Sequence, residues 1–102
     1  MKKINSYMGF ARKSGNLVMG SGTCMTYLPK KKIKLLIITE DTAQNSMEKL
    51  IRAAEKYNVT YRVYGDSEEL SHIVGNPGRT VFGITDNNFA EVILGEIDRE
   101  CH

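Results

Sequence analysis

The sequence has 102 residues, of which 41% are hydrophobic, and its formal net charge is +2. A chain of this length is expected to fold as one domain, residues 1–102, around one core. No apolar run approaches the roughly 20 residues of a membrane span, and no signal-peptide stretch follows the N-terminal lysines, so we expect a cytoplasmic protein without a membrane partner. Cys24 and Cys101 form no CxxC pair, which predicts reduced thiols and no metal or other cofactor.

Hydrophobic spacing predicts a first helix, a short strand and a second helix in the first thirty residues. Apolar residues recur at helical spacing from Ile4, and Gly15 lies beyond them, so the first helix is expected to end near Ser14. Residues 17–19 form the strand. The turn at residues 20–23 then opens a helix that Ser21 or Thr23 is expected to cap, and the following Pro29 keeps that helix short.

The middle of the chain predicts a buried strand and a well-formed helix. Residues 33–39, IKLLIIT, are nearly all branched and apolar, which is typical of a central strand covered on both faces. Asn45 and Glu48 have the spacing of a capping box, and helical period then continues to Asn58.

The last third repeats the order strand, helix, strand, helix. Residues 59–64 alternate in polarity, Asp66 opens a helix that Gly75 closes, and residues 80–85 supply the last strand. The expected buried stripe of the final helix consists of Phe89, Val92, Ile93 and Ile97. Alternating helices and strands predict an α/β fold, a three-layer α/β/α sandwich.

The densest positive charge consists of Lys30, Lys31, Lys32 and Lys34. On charge alone, such a run is as often a solvated turn as a binding site. Lys13 near the end of the first helix, the glycine turn at residues 20–23 and the lysine run are close in sequence, so we expect them to form one local unit. Free backbone N–H groups and clustered cations are suited to the phosphates of a nucleic acid.

A second glycine turn, GNPGR at residues 75–79, precedes the last strand. Taken alone, it is more often a plain connection than a binding site. Ile73 is expected to pack in the core because of its spacing from Leu70, whereas Val74 either packs inward or covers a flipped base.

Two carboxylates, Glu40 and Asp41, follow the central strand, where ligands often gather in open α/β sheets. No third acidic residue or lysine completes a phosphoacceptor site, and helix capping is the simpler role for Asp41. The sequence contains no GxGxxG motif, no P-loop and no Ser-His-Asp grouping, so we predict that the protein is not an enzyme.

The string MGFARKSGNLVMG resembles the opening of the bacterial YlxQ-type proteins, which belong to the ribosomal-protein L7Ae/L30e family. The resemblance continues through LIITED, YNVTYRVYGDSEEL and VFGITDNNFAEVI, and so covers almost the whole chain. It implies an α/β/α sandwich with a mixed four-stranded sheet. It also implies binding to structured RNA, especially kink-turns, through the turns at residues 20–26 and 73–79.

The best-known kink-turn binders have Gly-x-Asn-Glu-x-x-Lys in the first of these turns. This sequence keeps Gly20 but has Gly22, Thr23 and Thr26 at the last three positions of the pattern. Threonine is shorter than glutamate and cannot pair with a phosphate as lysine does. The candidate RNA-binding residues are Lys13, Gly20, Ser21, Gly22, Thr23, Thr26, Lys30, Lys31, Lys32, Val74, Gly75, Asn76 and Arg79.

Three functions therefore remain open. The first is a monomeric, ribosomal-protein-like RNA-binding protein, with the ribosome as one candidate partner. The second is a protein-interaction domain of the same fold, which predicts an exposed apolar patch that includes Met19, Met25 and Tyr27. The third is a small-molecule or metal binder that uses Glu40 and Asp41 in a deep pocket.

Overall fold

The protein is described from a computed structural model, which covers residues 3–100. Cys101 and His102 lie outside the described residues, as does any pairing of Cys101. The helices are α1 (Lys3–Lys13), α2 (Ser21–Tyr27), α3 (Gln44–Lys56), α4 (Ser67–Ile73) and α5 (Asn87–Glu100). The strands are β1 (Leu17–Met19), β2 (Leu35–Ile38), β3 (Thr60–Val63) and β4 (Val81–Ile84).

The four strands form one mixed sheet in the order β1-β4-β2-β3. Strand β4 is antiparallel to both β1 and β2, whereas β2 and β3 are parallel. Helices α1, α4 and α5 contribute to the core on one face of the sheet, and α2 and α3 to the core on the other. The predicted three-layer α/β/α sandwich with a mixed four-stranded sheet is confirmed.

The expected single core is in fact two clusters, one on each face of the sheet. Successive side chains of a strand point to opposite faces, so a fully covered central strand supplies both clusters. In β2, Leu35 and Ile37 pack with α1, α4 and α5, while Leu36 and Ile38 pack with α2 and α3. All four residues of β2 are buried, as the apolar run predicts.

Most predicted elements occur where expected, but three local predictions are wrong. Helix α2 has Gly20 as its N-cap and no side-chain cap, so neither Ser21 nor Thr23 caps it. Helix α3 begins at Gln44 after an Ala43 N-cap, and its first turn lacks the predicted capping box. In α5, Val92 is 40% exposed, and Ala90 takes its place among the buried residues.

Gly83 lies in the middle of β4, where the sheet leaves no room for a side chain. A Cβ atom there would be 2.8 Å from Ile33 Cδ1 and 3.0 Å from Val18 Cγ2. A glycine inside a strand often marks such a close approach. The Ile33 side chain therefore occupies the space over β4 that a larger residue at position 83 would fill.

The sheet has two ends with different loops. Strand β4 begins at Val81, which pairs with Ile38, and ends at Ile84, which pairs with both Leu17 and Leu35. We call the end near Val81 the turn end, because the 20–23 and 75–79 turns join the sheet there. We call the end near Ile84 the lysine end, because the lysine run leads into β2 there.

Candidate nucleic-acid interface

The two glycine turns meet at the turn end. The Gly20 N–H donates to Val81 O (2.9 Å), which ties the turn before α2 to the start of β4. Gly20 has a φ of 93°, and a Cβ atom on it would lie 3.0 Å from Arg79 Nη1. The guanidinium of Arg79 therefore lies directly against Gly20, at the junction of the two turns.

A buried serine fixes the backbone of Arg79. Ser71 Oγ donates to Arg79 O (2.7 Å) and accepts from Arg79 N–H (2.8 Å), and Ser71 is only 2% exposed. The Arg79 Nε donates to Asn76 Oδ1 (3.4 Å) within the same turn. Sequence reasoning missed Ser71, although its position three residues before the core residue Val74 is a signal for the buried face of α4.

The turn at residues 75–79 bends at two glycines, Gly75 with φ 70° and Gly78 with φ 81°. Both positions suit glycine because they lie in the left-handed region. Val74, a candidate base-covering residue, is 4% exposed and belongs to the core cluster under α4. Ile73, expected in the core, is only partly buried against the same cluster.

The first turn of α2 is exposed and carries no charge. Ser21, Gly22 and Thr23 are all exposed, and no side chain caps their end of the helix. The Thr26 hydroxyl donates to Gly22 O (3.0 Å), so its hydrogen is used inside the helix. This surface can contact a polyanion through backbone N–H groups and hydroxyls, without an asparagine, a glutamate or a lysine.

The lysine run is at the opposite end of the sheet from the glycine turns, so the expected single unit is wrong. Lys34 N–H donates to Ile84 O (2.7 Å), which places the run at the lysine end. Lys13 precedes β1 at the same end, where Asn16 O accepts from Thr85 N–H (2.9 Å). Helix α2 starts at one end and finishes at the other, so residues close in sequence are separated by its length.

The lysine end combines cations with two tyrosine rings. Lys30 Nζ and Lys32 Nζ lie 5.9 Å and 5.6 Å from the centre of the Tyr27 ring, and Lys56 Nζ lies 5.4 Å from that of Tyr57. Such distances fall within the range of cation–π attraction. The ammonium groups thus lie beside aromatic faces that are only partly buried.

Asp41, near the turn end, has a structural role. Its Oδ2 accepts from Ser67 Oγ (2.6 Å) and its Oδ1 from Ser67 N–H (3.1 Å), so it holds the start of α4 and not that of α3. The Ser67 hydroxyl bond is the main cause of a pKa for Asp41 below its ordinary value of 3.8. In residues 3–100, no group of three or more metal-ligating side chains is placed to hold an ion.

The Cys24 thiol and most of the expected apolar patch are wholly or partly buried. Cys24 is fully buried, and burial raises the pKa of its thiol to about 12. Of the three residues expected in an apolar patch, only Met25 is exposed, at 39%. Met19 and Tyr27 are partly buried against the two cores. Within the described part of the chain, no helix is long and apolar enough to span a membrane.

The layers, the mixed sheet and the meeting of two glycine turns at one of its ends define a small α/β/α sandwich protein. A model of the ribosomal protein L7Ae/L30e/S12e/Gadd45 family matches residues 2–94, and the chain belongs to that family. The family resemblance stated from the sequence is therefore confirmed.

Two relatives match most of the chain. An RNA-binding protein YlxQ of Enterococcus faecium is 28% identical over 90 residues, covering 88% of this chain and 86% of its own. An RNA-binding protein YlxQ of Bacillus subtilis (strain 168) is 25% identical over 91 residues, covering 89% and 91%. Both are named as RNA-binding proteins and not as enzymes, in agreement with the prediction of a non-catalytic protein.

Solved structures share the fold. A protein of unknown function from Bacillus halodurans C superposes with a TM-score of 0.93 at 23% identity, covering 96% of this chain and 99% of that one. A 15.5kD RNA binding protein of Giardia lamblia superposes with a TM-score of 0.75 at 18% identity, covering 96% and 86%. The fold is therefore found in proteins from distant organisms.

Proposed function

We propose that the protein is a non-catalytic, single-domain protein that binds structured RNA of the kink-turn type through its turn end. The observation that carries this proposal is the contact between the two turns, in which the Arg79 guanidinium lies against Gly20. Its relatives are named as RNA-binding proteins, and its family includes ribosomal proteins. These facts support RNA as the partner, ribosomal or otherwise.

The geometry of Arg79 is suited to a backbone contact. Ser71 holds the Arg79 main chain through two hydrogen bonds, so the guanidinium projects from a fixed point. A guanidinium binds phosphate oxygens with paired N–H groups, and a preorganised one loses little side-chain entropy on binding. Arg79 thus positions the RNA backbone beside the exposed first turn of α2.

Recognition of bases is weaker in this protein than in relatives with the full side-chain pattern. Thr23 has no carboxylate to accept from a guanine edge, and the Thr26 hydroxyl is already bonded to Gly22 O. Backbone contacts position a nucleic acid but carry no sequence information, whereas base-edge contacts give specificity. We therefore expect affinity for structured RNA with a modest preference for kink-turns.

The direct test is a fluorescence-anisotropy titration against a kink-turn RNA and a plain duplex of equal length, each at 50 and 200 mM salt. We expect binding to both RNAs that weakens with salt, with the kink-turn bound more tightly. The variant Arg79→Gln should weaken binding and lower the slope of log affinity against log salt by about 0.7 to 0.9.

A matched control is Arg52→Gln, which removes one exposed cation from α3. If Arg79→Gln and Arg52→Gln lose the same RNA affinity, Arg79 acts through net charge alone. A wild-type protein that binds neither RNA would overturn the proposed function.

A further inference from the structure

We propose that the RNA backbone follows α2 beyond the turn end and contacts a second surface at the lysine end, formed by Lys30, Lys31 and Lys32 beside Tyr27. This inference rests on the proposed RNA-binding function and extends it. The partner is the same RNA, and the second surface binds its phosphates.

The loop that carries the three lysines is anchored at both ends and has backbone hydrogen bonds of its own. Leu28 before it is fully buried and Ile33 after it is 3% exposed, so both ends of the loop are anchored in the core. Lys30 N–H donates to Tyr27 O and Lys31 N–H to Leu28 O, each at 3.1 Å. Fixed backbone positions reduce the entropy lost when a ligand orders the side chains.

The loop concentrates positive charge at some cost to the folded state. Lys31 has a φ of 59°, a conformation that non-glycine residues rarely adopt, and Lys34 Nζ donates to Lys31 O (3.3 Å). Among residues 3–100, the ammonium groups of Lys30, Lys31 and Lys32 form no ion pair with a carboxylate. Close, unpaired like charges repel one another, and a polyanion would relieve that repulsion.

The distribution of charge over the whole surface also makes the lysine end more attractive to a polyanion than the turn end. Exposed cations at the lysine end are Arg12, Lys13, Lys30, Lys31, Lys32, Lys34 and Lys56. Acidic residues of that end are Glu55, Asp86 and Glu91. At the turn end, exposed carboxylates follow β2 and β3 or lie on α4: Glu40, Asp41, Asp66, Glu68 and Glu69. A polyanion that touches Arg79 is therefore repelled from the β2–β3 side of the turn end and attracted towards the lysine end.

Helix α2 joins the two surfaces without an intervening negative charge. The residues that it exposes are Ser21, Gly22, Thr23, Met25 and Thr26. Seven helical residues span about 10 Å, so the lysine loop begins roughly two helical turns from Gly20. Lysines in this loop supply the phosphate contact that Thr26, one turn earlier, cannot make.

The test compares two triple variants by anisotropy, using a kink-turn RNA with flanking helices at 50 to 200 mM salt. Lys30→Gln, Lys31→Gln and Lys32→Gln together remove the proposed contacts. Lys3→Gln, Lys49→Gln and Arg99→Gln together remove the same charge from α1, α3 and α5. Thermal melts verify that both variants fold, as expected for exposed positions.

We expect the lysine-loop variant to lower the salt slope by about 2 to 3, since each of the three lost phosphate contacts contributes about 0.7 to 0.9. The control variant should keep the wild-type slope. Equal slopes for the two variants would overturn the second surface while leaving the proposed function intact, because the wild-type protein and Arg79→Gln report on the turn end separately. Absence of RNA binding by the wild-type protein would overturn both proposals.

Discussion

Gly20 is the residue at which backbone conformation and the candidate interface depend on each other. Its φ of 93° with ψ of 144° is a conformation that side chains disfavour, and a Cβ atom would also press on Arg79. We expect Gly20→Ala to lower the free energy of unfolding by about 1 to 3 kcal/mol. It should also weaken RNA binding, because Arg79 must move. Urea denaturation and anisotropy measure the two effects.

Gly22→Ala is the control for Gly20→Ala, since Gly22 lies two residues further on, inside α2. A Cβ atom there meets nothing within 4 Å. Alanine favours the helix over glycine by roughly 1 kcal/mol, so Gly22→Ala should stabilise the protein or leave it unchanged. Similar destabilisation by both variants would mean that the conformation of Gly20 has no special role.

The ionisation of Asp41 makes the stability of the protein depend on pH in a predictable direction. Its pKa is lowered chiefly by the hydrogen bond from the Ser67 hydroxyl, so the folded state binds the carboxylate proton more weakly than the unfolded state does. The stabilisation is therefore present above the ordinary pKa of 3.8 and is lost as the pH falls through the lower folded value.

We expect Asp41→Asn to be less stable than wild type at pH 7, with the difference vanishing towards pH 2. Denaturant titrations at several pH values measure it. The double variant with Ser67→Ala isolates the pair, because the coupling between the two positions should be present at pH 7 and absent in acid. A coupling energy that does not change with pH would show that the ionised Asp41 does not stabilise the start of α4 through Ser67.

Among the secondary-structure elements, α2 is the one on which we expect RNA specificity to depend. Its first turn is exposed and uncapped, so new side chains at positions 22, 23 and 26 would face solvent. We expect the triple variant Gly22→Asn, Thr23→Glu, Thr26→Lys to gain preference for a kink-turn over a duplex. A good bidentate base contact is worth about 1 to 3 kcal/mol of discrimination, a factor of roughly 5 to 150.

The measurement is the ratio of affinities for the two RNAs, compared with that of the single variant Thr26→Lys. The single variant adds only a cation and should strengthen binding to both RNAs alike. An unchanged ratio in the triple variant would show that the turn of this protein does not approach the RNA bases.

The elements themselves were predictable from the sequence, but some of their terminal contacts were not. The apolar run of β2, the stop at Pro29 and the cap at Asp66 follow from local chemistry, and Asp66 Oδ1 does accept from Glu69 N–H (2.8 Å). The partner of Asp41 is Ser67, 26 residues away. Local spacing indicates that a carboxylate suits a helix start, but only the tertiary fold decides which helix that is.

At the scale of the whole molecule, the sequence predicted the layers but not the separation of the charges. Lys30 is ten residues from Gly20, and that short interval suggested one unit. The sheet order β1-β4-β2-β3 places the loop before β2 at the opposite end from the loop before β4, because these neighbouring strands are antiparallel. Strand order depends on pairing between distant parts of the chain, and the spacing of hydrophobic residues in the sequence does not reveal that pairing.

Gly83 has no side chain, and the Ile33 side chain that packs over it joins the buried strand β4 to the exposed lysine loop. Ile33 is the next residue after Lys32, so the packing of the Ile33 side chain over Gly83 anchors one end of the lysine loop on the sheet. An alanine at position 83 would require the side chains of Ile33 and Val18 to move, because its Cβ atom would lie 2.8 Å from one and 3.0 Å from the other. We expect such a change to reach the lysine loop through Ile33, and so to alter the proposed second RNA contact without replacing any of the proposed contact residues.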